Sequence, residues 1–319
     1  MTGGTISMKN VGSLGVVPSS ELVEFLKQFP QLDGVANVEV MDYLNVPSPY
    51  MSPQMMFDLA KLIDTKILAY DGIVITHGTD TLEESAFLAD LVLTTRKPVV
   101  FTAAMRSGGD LGLDGPRNII GSVRVASHTD SFDKGVLVVM NDEIHTARDV
   151  VKFDAGKLDA FTSPGLGPLG IVDPDLVMYH RESLYRENVW TQALDTRVDL
   201  IKAVSGMDGR YIDCSIESGS RAIVIEAFGR GNLPKDIIPY IQKALDRDIL
   251  VVIASRTDTG RVLPEYGYKG GGKNLRDMGA ILAGDLKGIK IRLKLMALFG
   301  KYGDADTVRR FLTQAHEME

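Results

Sequence analysis

A single cysteine, Cys214, stands among 319 residues. No disulfide can close within the chain, and no thiolate cluster can hold a metal. That usage suits the cytoplasm. No apolar run approaches the roughly 20 residues that cross a bilayer, and the N-terminus has neither a basic start nor an apolar signal core, so neither membrane nor export is indicated. Positive charge is also short: 35 Lys and Arg face 42 Asp and Glu, for a net charge of −7. No stretch concentrates the basic residues, which excludes the electrostatic footprint of a nucleic-acid binder. The histidines, His77, His128, His145, His180 and His316, are scattered with none paired at helical offset, so spacing supports no metal site. A phosphate loop is missing too. Gly270-Gly271-Gly272-Lys273 is followed by Asn274 where the nucleotide-binding pattern needs Ser or Thr, and no long strand leads into it. Arg106-Ser107-Gly108-Gly109 reads as a loop, with anion binding as the alternative. Neither a metal nor an organic cofactor is expected.

What the chain does have is 45% hydrophobic residues and a repeated alternation of short β-branched runs with amphipathic stretches. Strands are predicted at Val38 to Val46, Gly72 to Thr76, Pro98 to Thr102 and Gly135 to Met140. Helices are predicted from Glu21 to Phe29, from Pro53 to Asp64 behind a Ser52 cap, up to Leu93, and from Pro116 to Ser127. Met8 to Ser20, with small residues and glycines, suits a mobile loop over a site. Asn141 to Gly170 breaks the pattern as a long irregular segment. A second alternation has strands at Val198 to Ala203, Ala222 to Ala227 and Ile249 to Ala254. Its helices fall at Lys235 to Asp246, Asn274 to Leu282, Leu286 to Leu298 and Ala305 to His316. The fold class is α/β, with a larger N-terminal domain built on a helix-covered, mostly parallel sheet and a smaller C-terminal α/β domain. The boundaries are 1–185, a linker at 186–200, and 201–319.

The densest chemistry lies at His77-Gly78-Thr79-Asp80-Thr81, directly after the buried-strand run Ile73-Val74-Ile75. Asp80 with Glu83, or Thr81 with Glu84, forms a capping-box pattern for the helix that follows. Ligands of open α/β sheets bind beyond the carboxyl ends of the strands. Thr79, Asp80 and Thr81 are therefore either helix caps or site residues. Thr5 and Ser48 also fall just past apparent strand ends. A hydroxyl nucleophile needs a partner to take its proton, and Asp80 and Lys152 are the polar candidates; standing alone, Lys152 would read as a solvated surface lysine. Thr79-Lys152-Asp80 has the makings of a relay. His77 reads as a structural, hydrogen-bonded residue.

Thr2-Gly3-Gly4-Thr5-Ile6 and His77-Gly78-Thr79-Asp80-Thr81 together resemble the two threonine motifs of the L-asparaginase family, the bacterial asparaginases and glutaminase-asparaginases. Ala104-Met105-Arg106 with Asp114-Gly115-Pro116-Arg117-Asn118, and Arg148-Asp149-Val150-Val151-Lys152, are similar to its next landmarks. So are Gly167-Pro168-Leu169-Gly170, Gly229-Arg230-Gly231-Asn232 and Ser255-Arg256-Thr257. The resemblance covers the whole chain in order.

It implies hydrolysis of the side-chain amide of L-asparagine through a threonine acyl-enzyme. Thr5 would be the nucleophile, and Thr79, Lys152 and Asp80 would activate the attack or the water. Thr79 and a backbone N–H would stabilise the oxyanion. Ser48 would take the substrate carboxylate and Asp80 its amine, with Ala104 a further substrate contact. Asn232 would complete the site from a neighbouring subunit, implying a homodimer or homotetramer. Three departures from the family pattern stand out. Pro49 replaces the glutamine that many members carry after the serine, no tyrosine occurs in Met8 to Ser20, and no strand precedes the first threonine motif. The last leads to the expectation that upstream residues are missing. Glu265 is the nearest acidic residue to the family's intersubunit glutamate. Two other functions fit the same residues: a glutaminase or other amidase on a larger amide, and a non-catalytic amino-acid-binding homologue.

Overall fold

The protein is described here from a computed structural model. It describes residues 1–4, 8–10, 16–18, 32, 34–107, 110–183 and 186–317; the side chains of 8–10, 16–18 and 314–317 are outside the description. Thr5 and the predicted helix Glu21 to Phe29 lie outside the described residues.

The chain forms two compact units, Met1–Asn188 and Val189–Glu319. The first begins with a pair of three-residue antiparallel strands, β1 (Met8–Asn10) and β2 (Val16–Pro18), within the stretch whose composition predicts a loop. Among the described residues its main sheet has six strands. In parallel register run β3 (Ile73–Thr76), β4 (Val99–Thr102) and β5 (Val136–Met140). The sheet then turns antiparallel through β6 (Glu143–Thr146); a two-residue ladder of β7 (Val151–Lys152) with β8 (Phe161–Thr162) stands apart, and β9 (Gly170–Val172) and β10 (Val177–Tyr179) close the edge. Half of the sheet is therefore antiparallel, beginning with β6 inside the segment predicted as irregular and continuing past its end through β9 and β10. The cause is the two-residue loop Asn141-Asp142, both with positive φ (49° and 65°), the backbone of a hairpin turn that matches strand twist.

Among the described residues three helices cover the parallel half: α1 (Pro53–Lys66), α2 (Leu82–Val92) and α3 (Gly115–Ser127). Helix α1 starts as its sequence dictates, with Pro53 in the first turn and the Ser52 hydroxyl accepting the Met55 N–H at 3.2 Å. The apolar residues of β4, β5 and α3 pack into one core that includes Val100, Val125, Leu137 and Ile144. Val38 to Val46, predicted as a strand, joins no ladder; its N–H groups at Tyr43 and Leu44 bond Met1 O and that of Val46 bonds Thr2 O. Thr2 in turn donates to Thr76 O from both its backbone and its hydroxyl.

The second unit carries a fully parallel four-stranded sheet: β11 (Val198–Lys202), β12 (Ala222–Ala227), β13 (Leu250–Ser255) and β14 (Ile281–Leu282). Helices α4 (Arg210–Glu217), α5 (Ile238–Leu245), α6 (Gly272–Asp277), α7 (Gly288–Tyr302) and α8 (Ala305–Glu317) complete it. The predicted helix Asn274 to Leu282 is replaced by the short α6 and then β14, because Gly279 at φ +108° and Ala280 turn the chain back into the sheet. Gly270 to Gly272 pack against backbone: a Cβ on Gly271 would sit 2.3 Å from Tyr266 O. Close packing accounts for the glycines there, and Lys273 pairs with Asp277 at 2.6 Å. Among the described residues no helix is long and apolar enough to cross a membrane.

Candidate active site

The parallel strands bring their carboxyl ends to one edge of the sheet. Thr76 is in register with Thr102, and the next residue, His77, donates its N–H to Thr102 O at 2.8 Å. The turn after β3 therefore lies beside the loop after β4, where Ala104 is buried. That loop is rigidly held. The Asp114 carboxylate accepts the N–H groups of Met105 and Arg106, and Asn118 links Ala103 O to Asp114 and accepts the Asn141 N–H.

Within the 77–81 turn each polar side chain is assigned. His77 is fully buried; burial drives its pKa down to about 4, so the ring is neutral at neutral pH. Its Nδ1 lies 2.8 Å from Gly78 O, which can only accept, so Nδ1 carries the proton. Nε2 then accepts from the Ser85 hydroxyl at 2.9 Å. Both nitrogens are occupied by structural bonds, which leaves His77 no free base for chemistry. Gly78 allows a close approach on two sides: a Cβ there would lie 2.5 Å from Ser48 Cβ, and one on Gly4 would lie 2.4 Å from Gly78 Cα. Gly4, one residue before Thr5, thus lies flat against the turn.

Ser48 is buried at the start of a single 3-10 turn, Ser48–Tyr50. Its hydroxyl accepts the Asp80 N–H at 3.2 Å and reaches Asp80 Oδ2 at 3.4 Å, while its carbonyl accepts the Thr81 hydroxyl at 2.8 Å. The capping box read from the sequence is replaced by these contacts. Thr81 is the N-cap of α2, yet its hydroxyl makes no cap bond because Ser48 takes it. Glu83 likewise turns into the protein, where Oε1 accepts the Lys152 N–H at 3.1 Å.

Lys152, from β7, brings its Nζ to 2.9 Å from Thr79 Oγ1 and 2.6 Å from Asp80 Oδ1. Thr79 is 7% exposed and the Lys152 side chain 15%, whereas the Asp80 side chain is 55% exposed. The cluster is therefore shielded at the threonine and open at the carboxylate. An ion pair so built can orient a hydroxyl and offer a carboxylate to a cation arriving from solvent. Ser48, Thr79, Asp80 and Lys152 are thus brought together, with Ala104 on the same sheet end.

Asn232 belongs to the second unit, in the turn after β12. It exchanges backbone bonds with Phe228, and its Oδ1 is buried without a hydrogen-bond partner. Glu265 pairs with Arg230 at 3.3 Å. Among the described residues no three His, Cys, Asp or Glu side chains cluster as metal ligands would. Glu83 is the site residue that sequence reasoning missed as such; a glutamate in a helix's first turn reads as a cap or a dipole partner.

Residues 1–185 match the family model "Asparaginase, N-terminal" and residues 197–312 match "Glutaminase/Asparaginase C-terminal domain". The chain belongs to the asparaginase family. A Deinococcus radiodurans protein named "Probable L-asparaginase" is 36% identical, covering 98% of this chain and 95% of its own length. An L-asparaginase from Bacillus licheniformis is 34% identical, over 94% of each. The crystal structure of a "Probable Cytoplasmic L-asparaginase" from Campylobacter jejuni superposes with a TM-score of 0.87 at 29% identity, over 98% of this chain and 97% of that one. The asparaginase fold thus extends over both units, as the α/β alternation and the ordered motifs predicted.

Proposed function

We propose that this chain hydrolyses the side-chain amide of L-asparagine to L-aspartate and ammonia through a threonine acyl-enzyme. The observation that carries the reading is Lys152 Nζ within hydrogen-bond reach of both Thr79 Oγ1 and Asp80 Oδ1. Relatives named L-asparaginase over nearly the whole chain support the substrate. In this reading Asp80, the exposed member, receives the α-ammonium of asparagine, and Ser48 receives the α-carboxylate. The substrate cation competes with Lys152 for Asp80; with that ion pair loosened the Lys152 ammonium gives a proton to solvent, and the neutral Nζ then accepts the proton that the Thr79 hydroxyl passes on. Thr5 attacks the amide carbon and its hydroxyl proton is delivered to the amide nitrogen, so that the C–N bond breaks, ammonia leaves, and a β-aspartyl ester remains on Thr5. Thr79 with a backbone N–H stabilises the oxyanion of each step, and water activated at the Thr79–Lys152 pair releases aspartate. Ala104 lines the pocket at the end of β4.

Residues 1–185 carry this machinery in our reading, 186–200 link the domains, and 201–319 supply Asn232. Asn232 matches the residue that completes the site from a neighbouring subunit in the family, which supports the same role for it in a second copy of this chain. The assembly is then a homodimer or homotetramer, and size-exclusion chromatography with light scattering tests it. We place the protein in the cytoplasm, as the name of the Campylobacter neighbour suggests for that protein, although a Haemophilus influenzae relative at 30% identity is named periplasmic.

The test is ammonia release from asparagine and glutamine on one preparation. Asparagine turnover well above glutamine turnover is expected. Binding of either amino acid without ammonia release would replace the enzyme by an amino-acid-binding protein, and faster glutamine turnover would replace asparagine as substrate.

A further inference from the structure

Lys152 sits on a poor support. β7 and β8 are two residues each, pairing Val151 with Thr162 and Lys152 with Phe161, and such a ribbon has little stability of its own. The strand does not belong to the six-stranded sheet that holds the 77–81 turn. Thr79 is fixed by that sheet, so the 2.9 Å contact between Lys152 and Thr79 needs some other tie between ribbon and turn.

Glu83 supplies one. It is 8% exposed, and its Oε1 accepts the Lys152 backbone N–H at 3.1 Å across 69 residues of sequence. It stands in the first turn of α2, two residues before Ser85, whose hydroxyl holds the ring of His77. One helical turn thereby grips the backbone at position 152 and the side chain that orders the Gly78 carbonyl. The second carboxylate oxygen, Oε2, is buried without a hydrogen-bond partner. A buried carboxylate so incompletely paired weakens the fold, and retention of such a group beside a reacting cluster marks a role other than stability. The positive end of the α2 dipole favours the anion there.

We propose that Glu83 is a positioning residue for the reaction: by accepting the Lys152 N–H it sets the distance from Lys152 Nζ to Thr79 Oγ1, and it touches no substrate. The inference rests on the Thr79–Lys152 reading given above. It separates Glu83 from the helix-capping role that its sequence position suggests, and it locates the effect in turnover instead of binding.

The experiment measures kcat and KM for asparagine with the full chain, its Glu83→Ala and Glu83→Gln variants, and Lys152→Met in parallel, with circular dichroism and thermal unfolding as controls for folding. Displacement of a catalytic group by about 1 Å costs on the order of 10²-fold, so kcat of Glu83→Ala is expected to fall by about that factor with KM nearly unchanged. Glu83→Gln keeps an oxygen for the same N–H and is expected to recover kcat to within about 10-fold of wild type. Should Glu83→Ala fail to fold, Glu83→Asp, which withdraws the acceptor by one methylene, carries the same expected loss. Wild-type kcat in Glu83→Ala beside an inactive Lys152→Met overturns the role of Glu83 alone. So does a raised KM at wild-type kcat, or a Gln variant as impaired as the Ala variant. An active Lys152→Met overturns the Thr79–Lys152 reading itself.

Discussion

The turn after β3 and the turn after β12 occupy equivalent places, just beyond the carboxyl end of a parallel strand, and they are built in opposite ways. At 77–81 side chains do the holding: His77 to Ser85, Thr81 to Ser48, Asp80 and Thr79 to Lys152. At 228–232 backbone bonds do most of the holding, with Phe228 and Asn232 exchanging bonds, Gly229 and Gly231 at φ +46° and +103°, and the Ser255 hydroxyl donating to Gly229 O. The first turn is complete within the chain. The second leaves Asn232 Oδ1 buried and unanswered. A turn whose side chains are tied by distant residues is preorganised for chemistry, whereas the turn after β12 leaves a buried side-chain acceptor without a bond.

The largest expected effect breaks the first turn at its shielded hydroxyl. Thr79→Ala is expected to lower asparagine turnover about 10³-fold, with unchanged circular dichroism, since it removes a proton-transfer partner. Steady-state kinetics measures it. Next is pH. The His77 pKa is lowered from 6.5 to about 4 in the fold, so between those values the unfolded chain binds a proton that the native chain refuses. Stability from this group is complete above about pH 6.5 and is lost as pH falls toward 4, by about 3 kcal/mol at most. Denaturant melts across that range, with an NMR titration of the His77 ring, check it; a ring that titrates near 6.5 would contradict the buried, neutral assignment.

A smaller change tests the close contact of Gly78 with Ser48 and Gly4. Gly78→Ala places a methyl 2.5 Å from Ser48 Cβ and is expected to cost about 1–3 kcal/mol, seen in thermal unfolding, and to raise KM as Ser48 shifts. The smallest effect belongs to the second turn. Asn232→Ala is expected to raise KM by about 3- to 10-fold, the value of one neutral hydrogen bond, while leaving thermal stability unchanged or higher because an unanswered buried acceptor is gone. A fall in stability with constant KM would make Asn232 a structural residue.

Much of the frame was legible because local rules decide it. The β-branched run at Ile73 to Ile75, the Ser52 cap with Pro53, and the buried runs of β12 and β13 all formed where periodicity put them. The hairpin at Asn141-Asp142 was missed because β6, Glu143-Ile144-His145-Thr146, lacks the β-branched run that marked β3, although the turn residues themselves carry the signal for positive φ. Val38 to Val46 has a strand's alternation without a strand's ladder, since pairing depends on partners that local sequence does not encode. In the site, Thr79 and Asp80 stood out by position beyond a strand. Lys152, 73 residues away, stood out only as one polar candidate for a relay; no spacing rule links a lysine on a two-residue ribbon to that turn, and the family resemblance is what singled it out. Thr81 does stand at the N-cap, but its hydroxyl and the Glu83 carboxylate make no capping box because a tertiary acceptor and a tertiary donor claimed them.

The measurement that tests the account most directly is asparagine-dependent ammonia release by Lys152→Met beside wild type, on protein shown to be folded. The side chain keeps its length and loses its charge and its contacts to Thr79 and Asp80. A loss of about 10²- to 10⁴-fold is expected for removing a group that moves the proton. Turnover within a few-fold of wild type would contradict the central claim that Lys152 and Thr79 act together.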